Sequence, residues 1–88
     1  MKPFILATLA TMVAIPAQAG LVLLPNLFAR EYCNMRQLGV SHNEAIEVAV
    51  NESAIEGTPI EVTIDGKKYD ADVIKANQTA RARCPQYF

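Results

Sequence analysis

Apolar positions along the chain form one unbroken run and then several periodic ones. Residues 3–16 (PFILATLATMVAIP) carry no charge and no helix-face alternation. Beyond them Leu27, Phe28, Tyr32, Met35 and Leu38 recur at helical spacing, with Pro25 suited to a first turn and Gly39 to a stop. This predicts a first helix, with Cys33 at the edge of its stripe beside Ala29. Ser41-His42-Asn43-Glu44 then has the form of a capping box, with Val40 and Ala45 near staple positions. Ala45, Ile46, Ala49, Val50 and Ser53 share one face of a second helix, and Glu44, Glu47 and Asn51 share the other. That helix is expected to fade near Glu56-Gly57, before Pro59.

From Ile60 the period changes from helical to twofold. Ile60-Glu61-Val62-Thr63-Ile64 alternates strictly, and Asp65-Gly66 is a favoured two-residue hairpin turn. The return strand Lys67-Lys68-Tyr69 sets Tyr69 opposite Val62. One more step would set Asp70 against Glu61, two like charges, so the strand is expected to stop and Asp70 to cap a third helix. Val73, Ala76, Ala80 and Cys84 line one face of that helix, and Pro85 ends it. The fold class predicted is α+β and mostly helical: helix, helix, β-hairpin, helix.

Composition divides the chain at the end of the apolar run. Residues 1–19 hold 13 of the hydrophobic residues and one charge, Lys2. A basic start, an apolar stretch and the small-residue site Ala17-Gln18-Ala19 together read as a secretory signal peptide cut before Gly20. Residues 20–88 then form one small domain with seven bases against nine acids. A multidomain enzyme, a disordered chain and a strongly basic nucleic-acid binder are excluded. The rival reading is an uncleaved anchor, because the 22 residues from Pro3 to Leu24 are uncharged. Pro16, Gln18 and Gly20 count against it, and a membrane partner is expected only if the leader stays attached.

Cys33 and Cys84 are the only cysteines, and both lie in the expected mature part. An even count in a short exported chain reads as a disulfide, here joining the first helix to the end of the last. A redox pair or a metal site is disfavoured, since there is no C-x-x-C and only one histidine. No metal or other cofactor is expected.

His42, at the first helical position after a serine cap, is read as a solvated side chain, and Ser41 beside it cannot face it. No nucleophile, base and orienting acid assemble into a triad, so no catalytic residue is assigned. Asp65, Asp70 and Asp72 lack the order of a calcium loop. Asn51-Glu52-Ser53 and Asn77-Gln78-Thr79 match the glycosylation sequon, a motif common by chance and set aside here. The closing Gln86-Tyr87-Phe88 has the aromatic end of an outer-membrane barrel without the strands for one, so packing near the disulfide is expected.

Charge is the most informative surface feature. Residues 41–65 carry six acids and no base; residues 67–83 carry five bases and two acids. Glu44, Glu47 and Asn51 are therefore the candidate interaction face, with a solvated helix face as the plainer alternative. Basic residues in the last segment lack interleaved aromatics, so nucleic acid is not expected as a partner.

Phe28-x-x-x-Tyr32-Cys33, Gly39-Val40-Ser41 with Ala45, and Cys84-Pro85-Gln86-Tyr87-Phe88 resemble a group of short exported cyanobacterial proteins. The resemblance spans about residues 28–88. It implies export and a two-cysteine domain, and brings no activity or functional residue with it. The expectation is thus an exported, periplasmic or extracellular, non-enzymatic domain that binds a protein or the envelope. A membrane-tethered accessory subunit and a small secreted inhibitor or effector are the alternatives.

Overall fold

The computed structural model describes residues 20–88, so the expected leader over residues 1–19 lies outside the described residues. The elements run β1 (Leu21–Leu23), α1 (Pro25–Gln37), α2 (His42–Ser53), β2 (Ala54–Glu56), β3 (Glu61–Ile64), β4 (Lys67–Asp70) and α3 (Ala71–Arg83), closed by a 3₁₀ turn over Pro85–Tyr87. This is the α+β order read from the pattern, with one small sheet added.

Pro25 opens α1 where a missing N–H costs nothing, and no side chain caps that end. The far end closes through Gly39 at φ 88°. Its N–H donates to the Arg36 carbonyl at 3.0 Å, and the Val40 N–H donates to the Met35 carbonyl at 3.0 Å. These two bonds form a Schellman closure, and Met35 and Val40 both pack on the core beside it. Leu38, assigned above to the apolar stripe, is 74% exposed at the cap position. The closure reverses the chain there, so helical spacing no longer fixes where Leu38 points.

At the start of α2, Ser41 accepts from the Glu44 N–H at 3.3 Å, and its hydroxyl donates to the Glu44 carboxylate at 3.1 Å. The helix stops at Ser53, three residues before the expected fade. Ala54-Ile55-Glu56 instead pair antiparallel with Leu23-Val22-Leu21. Gly57 follows, where a side chain would come within 2.8 Å of Val22. Three-residue strands carry too little pattern to be read locally, and this pairing spans more than thirty positions of sequence.

Asp65 and Gly66 both have positive φ, 52° and 80°, which makes the β3–β4 connection a type I′ turn. The register places Val62 opposite Tyr69, as expected, and also Glu61 opposite Asp70. Asp70 therefore closes β4 as well as standing at the N-cap of α3, and its side chain makes no capping bond. The expectation that like charges would end the strand fails. Turn geometry sets the register first, and the two carboxylates meet at the strand's open end, with Glu61 exposed to water.

The three helices share one core, with α1 packed against both α2 and α3. Its large members, Phe28 and Tyr32, come from α1. Ala45 and Ala49 on α2 and Ala76 and Ala80 on α3 are fully buried, and side chains this small let neighbouring backbones come close. Cys33 on α1 and Cys84 just past α3 form a disulfide, with Cα atoms 5.9 Å apart, both buried in that core. By contrast the β3–β4 hairpin projects from the helices, most of it exposed, and leans chiefly on α3.

Candidate functional site

The alternation of β3 puts Ile60, Val62 and Ile64 on one face of the hairpin, and the register adds Lys67 and Tyr69 to that face. On α3, Ile74, Asn77, Gln78 and Arg81 recur at helical spacing and form a stripe. Ile64 and Tyr69 meet that stripe without filling the space, leaving an open, mostly apolar groove of about 350 Å³. Ile60, 71% exposed, and Ile64, 48% exposed, extend the apolar surface. These are large aliphatic side chains left in water beside a concavity. The pattern contains every one of these residues, but only the tertiary structure shows that α3 covers half the hairpin face.

The charged side chain among the lining residues is basic. Arg81 lines the groove and Lys67 shares the hairpin face, while none of the lining residues is acidic. Asp72, the acid of the first turn of α3, is turned away. Its Oδ2 accepts from the Leu23 N–H of β1 at 2.7 Å. Nothing near Asp72 in the sequence points to this partner, which lies 49 positions away.

Glu44, Glu47 and Asn51 are all exposed and lie along the outer side of α2. They keep the shared face expected of them. Glu44 is also committed locally to Ser41.

His42 departs from its expectation. Instead of standing in solvent it is half-buried, with Nδ1 sharing a 2.7 Å hydrogen bond with the Tyr32 hydroxyl and its ring edge-on to Tyr32. Burial pushes the imidazole below its ordinary value, and the nearby Arg36 charge adds to this. Burial likewise raises the Tyr32 phenol, opposed by Arg36. Both rings are thereby held neutral. Arg36 donates to the Val40 carbonyl at 2.9 Å and lies over the Tyr87 ring at 5.1 Å. Phe88 packs on Tyr32 and beneath Arg81. The terminal aromatics therefore lock the disulfide end of the molecule. This cluster holds structure together and contains no nucleophile aimed at an open surface.

Among the described residues no group of three His, Cys, Asp or Glu side chains is placed to hold a metal ion. No helix among them is long and apolar enough to cross a membrane. Asn77 of the second sequon is 6% exposed, its amide donating to the Val73 carbonyl at 3.0 Å, so a sugar has no access there. The chain matches no protein-family model, no curated protein and no solved structure.

Proposed function

We propose that this protein is an exported, non-enzymatic binding domain that receives an acidic, amphipathic segment of a protein or envelope partner in the groove between the hairpin and α3. The observation that carries the reading is the groove itself: an open, mostly apolar concavity with no acid in its lining and Lys67 on the same hairpin face. Apolar side chains of the partner would sit over Ile64, Tyr69 and Ile74, and its carboxylates would meet Lys67, which shares the hairpin face with Ile64. Export is supported by the leader pattern and by the disulfide, which is compatible with an oxidising compartment.

Affinity capture from the envelope fraction tests this. Ile64→Glu should lose the partner, by about tenfold or more in affinity for a desolvated anchor. A Glu44→Lys/Glu47→Lys variant should keep it. The reverse outcome would replace the groove with the acidic α2 face, which the exposure of Glu44, Glu47 and Asn51 makes the second reading. Mass spectrometry of the exported protein tests the compartment, and free thiols at Cys33 and Cys84 would sink it.

A further inference from the structure

Two short sheets leave strand edges open, and the molecule treats them differently. In β1, bonds from Gly57 N–H to the Gly20 carbonyl and from Leu24 N–H to the Ser53 carbonyl fix the phase of pairing with β2. The polar groups of Leu21 and Leu23 therefore point away from β2. Asp72 accepts the Leu23 N–H, and α3 packs beside β1, so that edge is partly covered.

The β3 edge has no such cover. Across a two-residue turn Ile64 and Lys67 form a hydrogen-bonded pair, and pairs then alternate along the ladder. The bond from Ala71 N–H to the Ile60 carbonyl at 2.7 Å confirms the phase. The N–H and C=O groups of Glu61 and Thr63 thus point outward, and no described residue pairs with them. Both residues are exposed, as are Ile60 and Ile64 beside them. On the opposite edge β4 carries adjacent Lys67 and Lys68, a charge pattern that discourages pairing.

We propose that β3 pairs antiparallel with β3 of a second copy of this chain, making a four-stranded sheet across a twofold axis. The residues choose the register. Centring the axis on Glu61 sets two glutamates opposite each other, and centring it on Thr63 sets Glu61 against Asp65 of the other copy. Centring it on Val62 sets Ile60 opposite Ile64, Glu61 opposite Thr63 and Val62 opposite itself. Only this last arrangement has no like-charge pair, matches the exposed isoleucines with each other, and turns the open groups of Glu61 and Thr63 into four hydrogen bonds. The matching axis on β4, at Tyr69, would set Lys68 opposite Asp70 of the other copy, but there the chain turns from Asp70 straight into α3 at Ala71, so that edge ends where the pairing would have to continue. The second copy joins in the plane of the sheet and sets its Ile60 beside Ile64 at the end of the groove, so Ile64 belongs to both surfaces, whereas Thr63 belongs to the strand edge alone.

So few contacts make a weak dimer, and sedimentation equilibrium between about 10 µM and about 1 mM should show the monomer giving way to dimer. Thr63→Pro removes an outward N–H and no ladder bond, and should weaken the dimer by about tenfold or more. Lys68→Pro, the matched change on the β4 edge, should leave it intact. Hydrogen exchange of the unaltered protein gives a second reading that no variant can confound: the Glu61 and Thr63 amides should gain protection as concentration rises, and the Lys68 amide should not. A monomer throughout the range, a dimer indifferent to Thr63→Pro, or concentration-independent exchange at Glu61 and Thr63 would overturn the proposal. Loss of partner capture with the dimer preserved would instead bear on the groove alone.

Discussion

His42 stands at the first position of α2, where sequence gives a side chain every freedom to enter water, yet Tyr32 from α1 holds it by hydrogen bond and ring contact. The neutral ring suits the site, because a protonated one would bring a second positive charge toward Arg36 in a half-buried setting. A folded-state value lowered below the unfolded 6.5 means that the unfolded chain takes up the proton first as pH falls. Stability is therefore whole above about pH 6.5 and declines as pH drops toward the folded-state value. Thermal melts across pH 7.5 to 5 should show a loss that His42→Asn largely removes, while carboxylate titration at lower pH persists in both. Equal slopes in the two proteins over that interval would refute it. Nothing local to residues 41–45 signals this role; its cause is ten positions upstream.

At the scale of elements, the parts that obey a period were legible and the parts that depend on a distant partner were not. All three helices, the capping box and the hairpin register about Asp65-Gly66 follow from spacing and turn chemistry. The β1–β2 sheet was not legible, and neither was the link that binds it to α3. That link is the Asp72 carboxylate on the Leu23 N–H, a charged acceptor on a part-buried donor. Asp72→Ala should cost about 1 to 3 kcal/mol, because the N–H loses its acceptor in a place water reaches poorly. Urea unfolding checks this, and Asp72→Asn should recover part of the loss by keeping an oxygen acceptor. Substitutions at the exposed Glu47 should stay within about 0.5 kcal/mol. The groove was half legible. Its hairpin wall reads directly from alternation, but the choice of α3 as the opposite wall is a packing outcome.

For the molecule as a whole, the described domain is small, its core is rich in alanine, and burial alone gives it a narrow margin. Cys33 and Cys84 lie 51 positions apart, so their bond closes most of the domain into one loop. Restricting the unfolded chain to that extent is worth roughly 4 kcal/mol in the chain-entropy model, comparable with the whole net stability of a domain this size. Cys33→Ala/Cys84→Ala should lower the free energy of unfolding by about that amount, measured by denaturant titration. A change under about 1 kcal/mol would show that helix packing holds the fold without the staple. Partner capture by the reduced protein should fall in parallel, because α3 carries one wall of the groove and Cys84 anchors its end.

By itself the sequence determined the helices, the hairpin turn, the pairing of Cys33 with Cys84 and the division of charge between an acidic middle and a basic end. Each of these is written over a few neighbouring residues or, for the cysteines, admits a single pairing. Tertiary structure alone decided that Leu21–Leu23 would be a strand, that His42 would be buried against Tyr32 and that Asp72 would turn inward to cover an edge. It also decided that the apolar face of the hairpin would be only half covered. Those outcomes rest on groups brought together from opposite ends of the domain, and no local period records which of two equally apolar surfaces a helix will finally cover.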